Sequence, residues 1–345
     1  MSWLGPELDP DQRGLQEMLD AFLADRDTDL TDDPAQVGAL RRQLAELGVW
    51  TLGVAEEHGG GGADRTMTTV ALERLGQRWP ALALASVHAH ASADVLGPVD
   101  RDLGRDLVSR LHTADALVAV ADADADHVTL TRDGDTVSGS VDRVDVTSPP
   151  EALIVLTSAR SALLFDAEAL TAGPVLRRCG LDGAYTTPLA LSGVIGTSVH
   201  ELGVDGTAVR NRVRLGAAAI AAGIASGAVA EAAAYAAGRH QFGGPISALP
   251  TVRASLFDQT ARAAAALSAV LTADTRDTFA AAVALTRACD AAVDVAAAAL
   301  QVHGGYGYLK EYPAERHVRD AVSLRAAVDA AGIAVSEAAR LVGVP

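Results

Sequence analysis

Apolar residues recur at helical spacing over residues 14–112. Leu15, Leu19, Phe22 and Leu23 share one helix face, and Leu40, Leu44 and Leu47 share a face of a second helix, which Gly48 closes. A glycine-rich turn, HGGGG at 58–62, interrupts the pattern, and a third helix follows over 67–75 with Pro80 marking its end. In the segment 82–96, His88 and His90 stand two positions apart, which on a helix places them on different faces. That spacing predicts structural histidines, not a metal-binding pair.

Near residue 113 the period shortens to two. Segments 117–121, 128–131, 136–141, 153–157, 162–165 and 187–194 read as short strands, the second and third joined by Asp133-Gly134, a strong hairpin signal. The acidic run from Asp122 to Asp126 lacks the spacing and the closing Glu of a calcium loop, so it is expected to be solvated. From residue 206 the helical period returns, with helices predicted at 213–237, 252–271, 279–303 and 313–342. Alanine fills many of their interior positions, and small residues with short turns favour an antiparallel bundle. The predicted fold class is therefore α+β, mostly α: an N-terminal helical domain (1–112), a middle β domain (113–205) and a C-terminal four-helix bundle (206–345).

Composition narrows the partners. With 4% aromatics among 49% hydrophobic residues, the core must be built from Ala, Leu and Val. A net charge of −16 argues against nucleic acid or an anionic membrane as the main partner. Two cysteines, Cys179 and Cys289, with no CxxC pair, point to a reducing compartment and to no zinc site. The start, MSWLGPELDPDQRG, does not read as a secretory signal, and a cytoplasmic location is expected. Segment 215–237 carries one charge, Glu231, but its Ala and Gly content would make membrane insertion poor. A helix buried in a bundle is the expected outcome.

Two stretches carry candidate chemistry. The first is GRHQFGGPIS at 238–247, where Arg239 ends a long helix at the negative end of its dipole and Phe242 precedes a Gly-Gly-Pro turn. The planar guanidinium can grip a pyrophosphate with two parallel hydrogen bonds. A surface Arg and a buried Phe beside a loop would look the same. The second is QVHGGYGYLKEYPAERHVRDA at 301–321, in which Gln301 ends a helix and Gly304, Gly305 and Gly307 leave bare backbone.

Taken together, these stretches resemble the acyl-CoA dehydrogenase family, flavoenzymes that oxidise the Cα–Cβ bond of a CoA thioester. LAELGVWTLGVAEEHGGGGAD from Leu44 resembles the family's N-terminal helix and turn, and RCGLDGAYTTPLALSGV from Arg178 resembles the end of its β domain. The resemblance implies FAD as cofactor, held between two chains, with an electron-transfer flavoprotein as acceptor. It also implies a carboxylate that removes the proton alpha to the thioester carbonyl.

The family's usual base is a Glu about ten residues beyond an Arg-Asp-Ala signature, here Arg319-Asp320-Ala321. That position is Val328, with Asp329 beside it. The minority position, just before an Arg at the start of the bundle, is Val213 before Arg214. The flavin-ring cradle of the β domain is also altered, with Arg143 where a Trp is usual and Asp145 where a Thr or Ser is usual. Pro250 stands where a Gln is common. The set that reaches a neighbour's cofactor is kept: Arg239, Gln241, Phe242, Gly243, Gln301, Gly304 and Gly305.

The resemblance thus implies a chain with no catalytic residue of its own that completes the FAD site of a catalytic partner. That partner would bind most of the acyl-CoA, in a heterotetramer of the kind associated with bulky substrates such as steroid side-chain thioesters. Two alternatives stand beside it. One is a self-sufficient flavoenzyme with a relocated base, for which Asp329, Asp145 and His88 are the candidates. The other is a scaffold with no flavin contact.

Overall fold

Helices in this chain begin where an Asp or a Pro can satisfy the first turn. In the computed structural model, which describes residues 3–24, 26, 30–99 and 102–343, five helices come first. They are α1 (Pro10–Ala24), α2 (Pro34–Glu46), α3 (Arg65–Arg78), α4 (Pro80–Leu96) and α5 (Asp102–His112). Asp33 and Asp64 accept backbone N–H groups at the starts of α2 and α3. Pro80 ends the α3 pattern and at the same time opens α4 at its first turn, where a missing N–H costs nothing.

Strands occupy the middle: β1 (Val118–Asp122), β2 (Val128–Asp133), β3 (Thr136–Val144), β4 (Ala152–Leu156), β5 (Ser161–Phe165), β6 (Leu170–Ala172), β7 (Thr187–Val194) and β8 (Val199–Gly203). They form two four-stranded sheets, ordered β1-β4-β5-β8 and β2-β3-β7-β6. Two strands were not predicted. β6 has three residues, and β8 alternates too weakly to register as a period of two. β1 and β4 run parallel, and the other pairs in these two sheets are antiparallel. The Asp133-Gly134 hairpin forms as predicted, with Asp133 opposite Thr136.

β4 shows how the sheets join the rest. All five of its residues are buried. Leu153 and Val155 face the β core with Val141, Phe165 and Leu191, while Ala152, Ile154 and Leu156 face a second core shared with the helices. β3 carries a register irregularity between Val141 and Val144, where three residue steps oppose two on β7. Such bulges re-aim side chains, and this one contains Arg143.

The C-terminal helices are α6 (Gly206–Gly238), α7 (Pro250–Thr272), α8 (Thr278–His303), α9 (Ala314–Ala327) and α10 (Ala330–Val342). Between α6 and α7 lies a small hairpin of β9 (His240–Gln241) and β10 (Gly244–Pro245). α6 is the long apolar helix flagged by its composition, and it forms the buried centre of the bundle. Glycines let its backbone touch α3 directly: a Cβ on Gly223 would lie 2.2 Å from the Glu73 carbonyl oxygen. Pro250, the departure from the family pattern, sits in the first turn of α7, where its fixed φ suits the helix start.

One predicted helix is wrong. The single helix expected over 313–342 is two helices, because Asp329 adopts a left-handed conformation (φ 49°, ψ 42°) that ends α9 and redirects the chain into α10. Apolar periodicity continues across the break, so the pattern alone did not show it. The turn falls beside Val328.

Candidate functional site

The β sheets, α4, α6 and the α9–α10 turn enclose a cleft of about 530 Å³. Val213 and Val328, found by counting from motifs 26 and 9 residues away, both line it. The two positions that the resemblance implies for a base therefore line one cleft, and each presents an isopropyl group with no proton to exchange.

The cleft is not short of charge, and here the structure corrects the reading of a site merely stripped of its groups. Arg210 holds Asp122 with two hydrogen bonds, the Nη2–Oδ1 distance being 2.9 Å, and that bonding raises the Arg210 pKa. The acidic run from Asp122 is thus not wholly solvated, because its first carboxylate is tied to α6. Arg214 meets Glu337 of α10 at 3.4 Å, and Arg340 adds a 2.9 Å bond to the same carboxylate oxygen. Glu337 is a cleft carboxylate that motif counting missed. Its signal was the spacing of Ile333, Ser336, Glu337 and Arg340, one face of a helix, and it could be read only once the break at Asp329 was known.

The three candidates for a relocated base all line this cleft, and two of them, His88 and Asp145, are engaged in hydrogen bonds. His88 accepts the Val120 N–H at Nδ1 (3.1 Å), so its proton is on Nε2 and the ring is a donor. Burial lowers its pKa to about 4. Asp145 is buried and accepts the Thr186 hydroxyl, and burial raises its pKa. The Asp329 carboxylate folds back over Gly332, where an added Cβ would lie 2.4 Å from its Oδ2. His90, by contrast, is structural as expected, accepting from the Gly53 N–H and donating to the Ser86 carbonyl.

A planar ring bound between sheet and bundle would need a gap there. Arg143, aimed by the β3 bulge, crosses it: Nη2 donates to the Ala326 carbonyl oxygen at 2.8 Å. The cleft therefore does not fit a flavin ring as the usual Trp-containing cradle would.

The stretches expected to reach outward lie elsewhere. None of Arg239, Gln241, Phe242, Gly243, Gln301, Gly304 and Gly305 lines the cleft. Phe242 and Gly243 form the two-residue turn of the β9–β10 hairpin, both at positive φ (53° and 85°). Phe242 is 90% exposed, which excludes the reading of a buried Phe beside a loop. Arg239 caps α6, and its guanidinium carbon lies 5.2 Å from the Tyr306 ring centroid, within cation–π range. Tyr306 is backed by Tyr312 and by the stacked pair Tyr235–His303. Gln301 is exposed, and Gly304 and Gly305 have open space where a side chain would be. Cation, exposed aromatic and bare backbone on one connected segment pair suit a dinucleotide's phosphates and base.

The motif stretches at 178–183 and 319–321 also meet. Arg319 donates to the Cys179 carbonyl oxygen (2.8 Å), the Leu181 N–H donates to Asp320 (2.7 Å), and Gly180 lies against the Arg319 backbone. This contact docks the β domain onto α9.

Two family models match the chain: the acyl-CoA dehydrogenase N-terminal domain over residues 9–98 and the acyl-CoA dehydrogenase C-terminal domain over residues 207–328. Together they cover more than half of it. An acyl-CoA dehydrogenase of Bacillus subtilis is 29% identical over 316 residues, covering 82% of this chain and 83% of that protein. Acryloyl-CoA reductase (NADH) of Anaerotignum propionicum is 28% identical, covering 81% and 80%. The structure of butyryl-CoA dehydrogenase from Megasphaera elsdenii superposes with a TM-score of 0.80 at 23% identity, covering 99% of this chain and all of that one, a likeness of fold. Helical domain, β sheets and helical bundle thus follow the acyl-CoA dehydrogenase order, and this chain belongs to the acyl-CoA dehydrogenase family of FAD-using oxidoreductases.

Proposed function

We propose that this chain is a non-catalytic subunit of a flavin-dependent acyl-CoA dehydrogenase, and that it completes the FAD site of a catalytic partner. One observation carries the reading. The residues suited to a dinucleotide are all on the outer surface, while the two base positions share an inner cleft and are both valine. When bound, FAD accepts the hydride from the substrate's β carbon. This chain's Arg239, steadied by Tyr306, would neutralise pyrophosphate charge, and Phe242 would cover the cofactor. Gly304 and Gly305 would let backbone approach it, with Gln241 and Gln301 at the edge. The proton would be taken by a carboxylate of the partner chain, the partner would also bind most of the acyl-CoA, and an electron-transfer flavoprotein would accept the electrons. Steroid side-chain or fatty acyl thioesters are the substrate class, and the cytoplasm is the proposed location.

Co-expression with a family member that carries Glu at the base position tests this. The complex should hold flavin and dehydrogenate its acyl-CoA, and Arg239→Ala should weaken flavin retention at least about tenfold, the loss of about 1.4 kcal/mol. Stoichiometric flavin on the isolated chain, with turnover of an acyl-CoA, would refute the proposal. Unchanged flavin in the Arg239→Ala complex would favour a scaffold role instead.

A further inference from the structure

The inner cleft has a volume of about 530 Å³, and its polar groups are unevenly satisfied. Among the described residues, Arg210 is paired with Asp122, and Arg214 and Arg340 share Glu337. Arg143 has no carboxylate ion-pair partner. Its one hydrogen bond goes to the Ala326 carbonyl, and its Nε is buried with no acceptor. His127, in the same lining, has a buried Nδ1 without a partner, and His88, whose Nδ1 accepts the Val120 N–H, lines the cleft with its proton on Nε2. A buried donor left without an acceptor, as at the Arg143 Nε, is costly, which marks where an acceptor on a ligand would be favourable.

The lining also holds an apolar stretch of Leu84, Val141, Leu156, Val213, Leu285 and Val328, around a volume within the range of small-molecule sites. A guanidinium without an ion-pair partner, together with two imidazoles and this apolar stretch, favours a single negative charge on an apolar tail. Asp145 and Asp329 oppose a dianion, and the tail matches the aliphatic lining.

We propose that this cleft is a binding site for a medium-length aliphatic carboxylate, held head-first by Arg143 with the imidazoles of His88 and His127, and bound without being oxidised. The site belongs to this chain alone, so it stands or falls separately from the shared flavin.

Calorimetric titration of the purified full-length chain with sodium octanoate tests it, with octanol, octanoyl-CoA and FAD as comparison probes. The expected result is one octanoate per chain, with octanol and octanoyl-CoA at least about tenfold weaker. Arg143→Met should weaken octanoate by about tenfold or more, and Arg143→Lys by less, because a point charge keeps the attraction but not the planar fork. Ala125→Leu, which adds bulk to the lining, should weaken octanoate and octanol alike. If Arg143→Met does not fold, by circular dichroism, the lysine and leucine variants decide. No octanoate binding overturns the proposal, as does octanol or octanoyl-CoA binding as tightly, a folded Arg143→Met variant binding normally, or competitive displacement of octanoate by FAD.

Discussion

Glu337 of α10 meets Arg214 of α6 at 3.4 Å, and each side chain is about one-tenth exposed. Glu337 and Ala330 are the buried residues of α10, Ile333 packs partly buried against the core, and Val335, Leu341 and Val342 face outward. The Glu337 carboxylate is thus the buried charged anchor of this short helix, beside the apolar contacts of Ala330 and Ile333. Glu337→Ala leaves the Arg214 guanidinium buried without its anion, and should cost about 3 kcal/mol of unfolding free energy. Urea denaturation measures the loss. Glu337→Gln, which keeps the shape, should lose less, and α10 should become cleavable by protease first in the alanine variant.

Phe242 gives a prediction in which stability and function separate. A bulky residue at φ 53° with 90% of its surface in water gains little packing for its strain. Phe242→Asn should stabilise the isolated chain by about 0.5–1 kcal/mol, since Asn tolerates the left-handed region. The same substitution should lower flavin retention in the complex. A drop in melting temperature for the free variant would show that the Phe ring packs against its own chain.

Gly180→Ala tests the docking of the β domain onto α9. The new Cβ would meet the Arg319 carbonyl at 2.3 Å, where backbone cannot rotate away. Overpacking of this kind costs about 1–3 kcal/mol. Because the Leu181 N–H to Asp320 bond is adjacent, amide exchange at Leu181 should speed up more than in the β core.

Asp320 makes stability depend on pH in a stated direction. Burial raises its pKa from 3.8 to about 6, against the opposing hydrogen bond from Leu181. An acid whose folded pKa is raised holds its proton more tightly when folded. Its contribution is therefore fully present below about pH 4 and is lost as pH rises through 6, up to about 3 kcal/mol. His88 and His90, lowered to about 4 by burial, act in the opposite sense, losing stability as pH falls below their ordinary range. The comparison of variants isolates the first effect: Asp320→Asn should show a steeper gain of stability between pH 4 and 6 than the unaltered chain. Identical slopes in the two proteins would show that Asp320 does not titrate there.

By itself the sequence determined element type along most of the chain, because that is set by periodicity and by local caps. Asp33, Asp64, Asp205 and Asp277 each accept a backbone N–H at a helix start. It also determined which residues to look for, since Val213 and Val328, reached by counting, line one cleft. The rest depended on contacts between distant segments, which no local pattern encodes. The left-handed turn at Asp329 converts one apolar run into two helices and swings Glu337 onto Arg214, 123 residues away in the chain. The bulge in β3 aims Arg143 at Ala326 across 183 residues. Periodicity records which side of an element is apolar, whereas the folded chain alone decides which charged groups meet once those sides are buried.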